Sequence, residues 1–124
     1  MRIVLSSFGF KHGHPTDADM VWDVRFLPNP YWVDGLREHS GLEPAVAAHV
    51  LENAQGRRFL ALLEPMIGFL VEQFQQDSNR NSCTLAFGCT GGRHRSVAVT
   101  EHVGRLLDRL GFDPHVVHRD IDKS

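Results

Sequence analysis

Apolar residues recur along the chain with two periods, and the switches between them divide it into alternating strands and helices. Ile3, Val4 and Leu5 form a short apolar run inside a first strand, Arg2 to Phe8, which ends at Gly9 in a loop containing Gly13 and Pro15. Met20 to Phe26 reads as a second strand, on which the alternation of side chains sets Asp23 and Arg25 on one face. Pro28-Asn29-Pro30 then breaks the ladder, because neither proline can donate a hydrogen bond and each restricts the residue before it. Helical segments are predicted over Tyr31 to Glu38, Pro44 to about Ala54, and Arg57 to Gln75. In the last of these Phe59, Leu62, Leu63, Met66, Ile67, Leu70 and Phe74 mark one buried stripe, and Pro65 inside it predicts a kink.

The polar stretch Asp77 to Ser82 reads as a turn, followed by a third strand from Cys83 to Phe87. A helix from about Arg95 to Leu110 buries Val99, Val103, Leu106, Leu107 and Leu110, and Gly111 sits where a left-handed cap belongs. His115 to His118 supplies a fourth strand. Strands separated by helices predict an α/β fold: one domain over residues 1–124, with a mostly parallel sheet flanked by helices. In such folds ligands sit beyond the carboxyl ends of the strands.

Composition narrows the picture. At 124 residues, 42% hydrophobic and 23% charged, the chain has one domain's length and enough apolar residues for a core. Its formal charge of −2 argues against coating nucleic acid by charge alone. The apolar stretches fall short of a membrane span, and Met1 to Ser7 is too short for a secretory signal, so a cytoplasmic location with no membrane partner is expected. Cys83 and Cys89, at the two ends of one strand and its following loop, lie too far apart to bridge and are expected as free thiols.

The chemistry concentrates in Gly88-Cys89-Thr90-Gly91-Gly92-Arg93-His94-Arg95-Ser96, between a strand and a helix. That arrangement aims several backbone N–H groups and the positive end of the helix dipole at one spot, where an anion belongs. Gly91 and Gly92 allow close backbone approach, Arg95 supplies a planar fork for two phosphate oxygens, and Ser96 adds a hydroxyl. Two glycines also make an inert tight turn, but Cys, His, Arg and Ser beside them favour phosphate binding. Cys89, Gly92, Arg95 and Ser96 fit Cys-x-x-Gly-x-x-Arg-Ser, which resembles the signature of cysteine-dependent phosphatases and opens an enzyme alternative with Cys89 as nucleophile and Arg95 as phosphate clamp. Against it, those enzymes carry His where this chain has Gly88, and only Asp17, Asp19 and Asp34 offer themselves as unassigned general acids.

Other residues carry weaker signals. His12-Gly13-His14 with Asp17 and Asp19 has metal-ligand types but no third fixed ligand, so no metal and no cofactor are expected. Trp22, Tyr31 and Trp32 either stack on a ligand or pack in core and loops. Arg93, Arg105 and Arg109 are interrupted by Glu101 and Asp108 and read as a mixed-charge face.

Ser7-Phe8-Gly9-Phe10-Lys11, Asp17-Ala18-Asp19, Asp23 to Pro30, Gly41-Leu42 and Gly88 to Ser96 together resemble the C-terminal domain of the RapZ/YvcJ family, over nearly the whole chain. Family members commonly join this domain to an N-terminal nucleotide-binding domain. In the best-known branch the protein is an adaptor that presents small RNAs to an endoribonuclease, and the C-terminal domain looks like its RNA-binding, self-associating and amino-sugar-phosphate-sensing part. The resemblance implies a non-catalytic sensor of a glucosamine-6-phosphate-like sugar phosphate or nucleotide sugar, with a regulatory protein partner and an RNA adaptor as the alternative. Cys89, Thr90, Gly91, Gly92, His94 and Arg95 would surround the phosphate, with Lys11 and Asp23 nearby, and Arg25, Asn29 and Ser96 complete the candidate set. Asp23 and Arg25 have a second reading as a mutual salt bridge. Three departures bear on the transfer: the chain holds no Gly-x-x-x-x-Gly-Lys-Ser loop, so ATP or GTP binding is not carried over; it ends Asp120 to Ser124 without a basic tail, which weakens RNA as a ligand; and Tyr31 stands where the family often has His.

Overall fold

A computed structural model describes residues 1–123. The strands are β1 (Arg2–Gly9), β2 (Met20–Asp23), β3 (Ser82–Cys89) and β4 (His115–His118), and the α-helices are α1 (Pro44–Leu51), α2 (Ala54–Gln76) and α3 (Arg95–Arg109). The sheet is parallel throughout, in the order β2-β3-β1-β4. β1 and β3 pair over their full lengths, from Arg2 opposite Ser82 to Gly9 opposite Cys89, so their carboxyl ends finish side by side.

One face of the sheet carries the core. Ile3 and Leu5 of β1 and Cys83, Leu85 and Phe87 of β3 pack against Val50 and Leu51 of α1, Leu60, Leu63, Ile67 and Val71 of α2, and Val99, Val103 and Leu107 of α3. On the opposite face Val4, Ser6 and Thr84 are half-buried, and the edge residues Val21 and Val117 are exposed.

Several elements differ from the sequence reading. β2 stops at Asp23 rather than Phe26, because the Asp23 carboxylate accepts the Arg25 N–H at 3.0 Å and turns the chain. Tyr31 to Glu38 forms no α-helix: a 3-10 turn over Pro30–Trp32 is followed by turns through Gly35, whose φ of 85° is foreign to a helix. α1 ends at Leu51 and α2 begins at Ala54, because Asn53 donates to the carbonyls of His49 and Val50 and accepts from Gly56 N–H, closing one helix and capping the next. α2 runs through Pro65. Its buried arc is Gly56, Leu60, Leu63, Ile67 and Val71, while Leu62, Met66 and Phe69 are exposed; the helix had more apolar positions than one face could bury. Leu110, expected inside, is also exposed, because it lies past the last turn of α3, where Gly111 takes φ of 91°.

Candidate functional site

The loop from Thr90 to His94 leaves the end of β3 and enters α3, and its neighbours hold it from every side. Lys11 N–H donates to the Thr90 carbonyl at 3.2 Å, Gly41 N–H to the Arg93 carbonyl at 2.8 Å, and the Arg93 Nε to the Ile121 carbonyl at 3.0 Å. Gly92 has φ of 82°, and a Cβ there would lie 2.6 Å from the Gly9 nitrogen and 2.9 Å from the Asp120 Cβ. Only glycine meets both demands. Gly88 has a different reason: a Cβ would lie 2.4 Å from the Phe8 ring and 2.6 Å from the Phe10 ring. The histidine of the phosphatase signature therefore has no room at that position.

Asp120 anchors the arrangement from beneath. Its side chain is fully buried, and its carboxylate accepts the Gly9 N–H at 2.7 Å, bonds Arg119 through both oxygens, and pairs with Lys123 Nζ at 2.8 Å. Burial opposes its ionisation, but the bonds from Arg119, Gly9 and Lys123 outweigh that and hold its carboxyl well below the usual range. In the sequence Asp120 belongs to no motif. Its one signal was position, two residues past the end of β4, where a parallel sheet gathers its loops.

A cavity of about 720 Å³ opens above the loop. Of the candidate residues, Lys11, Asn29, Cys89, Thr90, Gly91, His94 and Arg95 line it, whereas Asp23, Arg25, Gly92 and Ser96 do not. Tyr31, Trp32, Arg37, Glu38, Arg93 and Lys123 complete the lining. Arg37 and Glu38 lie in the segment expected as a helix, and Lys123 in an end that lacks the family's basic tail, so nothing local marks them. Asp23 and Arg25 form a salt bridge at 2.6 Å outside the cavity, with the Arg25 guanidinium 4.1 Å over the Phe10 ring. The Arg25 bonds lead in holding the Asp23 carboxyl below its ordinary value, with Arg95 a smaller contributor.

Inside the loop, Arg95 is 6% exposed and serves partly as a strut. Its Nη1 donates to the Arg25 carbonyl at 2.5 Å and the Leu27 carbonyl at 3.4 Å, its Nη2 to the Thr90 hydroxyl at 3.2 Å, and its Nε has no partner among the described residues. Cys89 is buried with its Sγ 3.1 Å from the Ser96 Oγ. His94 Nε2 lies 3.0 Å from the Arg37 carbonyl; burial pushes its pKa down, carbonyls of Arg37 and His39 oppose that, and Arg93 and Arg95 add to the lowering.

The acids considered for proton transfer lie elsewhere. Asp19 sits at the amino end of β3, accepting Thr84 N–H at 2.7 Å and pairing with Arg80. Asp17 lines a separate trough beside Arg2 and Thr84, and Asp34 pairs with Arg37 from a fully exposed position outside the cavity lining. His14 packs edge-on against Phe10, and among the described residues no group of three or more His, Cys, Asp or Glu could hold a metal ion. Trp22 stacks on Phe87 in the core, while Tyr31 and Trp32 stand at the cavity. Among the described residues no helix is long and apolar enough to cross a membrane.

A parallel α/β sheet whose loops build a cation-lined cavity at the carboxyl ends of its two central strands places the domain in the open-sheet α/β class, in which ligands bind at that edge. Within that class the chain belongs to the RapZ C-terminal domain family, whose model matches residues 1–122. It is 48% identical over 122 residues to a "Nucleotide-binding protein" of Nitratidesulfovibrio vulgaris, covering 98% of this chain and 41% of that protein. A protein of the same name from Geobacter metallireducens is 45% identical over 124 residues, covering 100% of this chain and 43% of its own length. The chain thus spans about two fifths of these relatives' length.

Proposed function

We propose that the domain is a non-catalytic, regulatory binding module for a phosphorylated amino sugar or nucleotide sugar, held above the loop that follows β3. The observation that carries this reading is a concentration of unneutralised positive charge. Lys11, Arg93 and Arg95 line one cavity, and among the described residues none forms a salt bridge, although the chain as a whole is formally negative. A phosphate supplies the missing counter-charge and accepts charge-assisted hydrogen bonds from such groups. Glu38, the lone acidic residue in the lining, offers a carboxylate for sugar hydroxyls or an ammonium group. The relatives' name, given to proteins more than twice as long, accords with a phosphate-bearing ligand without locating it.

Binding without turnover is favoured by the surroundings of Cys89. The residue is 2% exposed, its thiol faces Ser96, and the three candidate acids are absent from the cavity lining. One edge of the Arg95 guanidinium is also committed to backbone carbonyls.

Calorimetric titration with glucosamine-6-phosphate, UDP-N-acetylglucosamine and inorganic phosphate tests the proposal, comparing the wild type with Lys11→Ala. Lys11 is exposed, so its loss should spare the fold. The sugar phosphates should bind more tightly than phosphate alone and weaken about tenfold in the variant, the worth of one charged hydrogen bond. Absence of binding by all three compounds would falsify the reading.

A further inference from the structure

Two large aromatic rings stand at the cavity without the burial that usually accounts for such residues. Trp32 is 76% exposed and Tyr31 49% exposed. Trp22, the chain's other tryptophan, stacks on Phe87 with ring centres 5.2 Å apart.

Exposed as the rings are, the turn that carries them is held in place. The Asn29 side-chain oxygen accepts the Tyr31 N–H at 3.1 Å, and Pro30 fixes the start of the turn that carries both rings. Arg37 Nε donates to the Tyr31 carbonyl at 2.6 Å, and its guanidinium carbon lies 5.3 Å from the centre of the Tyr31 ring. Tyr31 and Trp32 meet edge to face with centroids 5.0 Å apart. A solvent-facing aromatic pair on a braced turn offers a stacking platform, and here it borders the same cavity as the cations.

We propose that the cavity takes a nucleoside 5′-phosphate unit, with its base against Trp32 and Tyr31 and its phosphate among Lys11, Arg93 and Arg95. This rests on the phosphate-binding reading above and selects its nucleotide-linked branch. A sugar phosphate alone would use the cations and leave the platform idle. The cavity volume, about 720 Å³, lies within the range of roughly 300–1,000 Å³ typical of small-molecule pockets and has room for a base beside the phosphate. A single-stranded RNA presents the same base and phosphate, but the chain's negative formal charge favours the small molecule.

The full chain is titrated by calorimetry and tryptophan fluorescence with UMP, ribose 5-phosphate, UDP, UDP-N-acetylglucosamine and a uridine oligonucleotide. UMP should bind about tenfold more tightly than ribose 5-phosphate, and Trp32→Ala should remove that advantage while leaving ribose 5-phosphate unchanged. Trp32→Phe should keep most of it, since a phenyl ring still stacks, and Lys11→Ala should weaken both ligands. Tighter binding of UDP-N-acetylglucosamine than of UDP assigns the nucleotide sugar as the source, and equal binding the free nucleotide. Equal affinity for UMP and ribose 5-phosphate, both reduced by Lys11→Ala, overturns the platform and leaves phosphate binding standing. Binding confined to the oligonucleotide overturns it in favour of a polymer, and no binding at all overturns both readings.

Discussion

Replacing Asp120 by alanine removes a buried carboxylate that serves three donors at once, and its cost can be built from them. The Gly9 N–H is left buried without an acceptor, at about 1–3 kcal/mol. The Arg119 and Lys123 pairs count for less, because those side chains are 32% and 51% exposed and water screens them; about 0.5–1 kcal/mol each is appropriate. Together the substitution should cost about 3 kcal/mol, which in a urea titration lowers the midpoint by about 1–3 M at an ordinary slope. Asp120→Asn keeps an acceptor for Gly9 and should recover about half of the loss.

The pH dependence gives the same reasoning a second readout. Because the folded carboxyl titrates below its ordinary value of 3.8, the unfolded chain binds the proton more readily. The stabilisation is therefore complete above that value and drains away as pH falls below it toward the folded pKa. The stability gap between wild type and Asp120→Asn should narrow over that acid range and stay constant from pH 5 to 8. An alanine variant within about 0.5 kcal/mol of the wild type, or a gap that widens in acid, would refute the anchoring role of Asp120.

Further changes probe the loop from other sides. Gly92→Ala meets both a positive φ and the Gly9 backbone, so it should destabilise by more than 1 kcal/mol, on the order of 2–3, and weaken phosphate binding; thermal melting and titration check both. Gly88→Ala should cost about 1–3 kcal/mol by crowding the Phe8 and Phe10 rings, and an unchanged melting temperature would show that the rings yield freely. Cys83, whose thiol burial pushes up to about 11, should resist iodoacetamide at pH 8 in the folded protein and react once the chain is unfolded, as mass spectrometry of the labelled peptide would show.

The sheet and the outer helices followed from the sequence because each has a strong local signal: the runs Ile3 to Leu5 and Cys83 to Phe87, and the periodic apolar positions of α2 and α3. The segment from Val24 to Ser40 did not. Its shape comes from single polar contacts, Asp23 to Arg25 N–H, Asn29 to Tyr31 N–H and Arg37 to the Tyr31 carbonyl, which periodicity cannot register. Leu62 and Met66 failed for the opposite reason, since apolar composition overstated which face of α2 is covered. At the site, the glycine-rich loop was visible as a motif between strand and helix, and the family resemblance drew attention to Lys11. Asp120 and Lys123, distant in sequence and brought against the loop by the return of the chain after β4, required the fold.

The most direct measurement is an amide nitrogen–proton NMR titration of the labelled chain with glucosamine-6-phosphate at moderate salt. Shifts that saturate together at Lys11, Thr90, Gly91, Arg93 and His94 are expected, leaving the trough around Arg2, Asp17 and Thr84 unmoved. Saturating shifts centred on that trough, or no shifts at the loop at millimolar ligand, would contradict phosphate recognition by the loop.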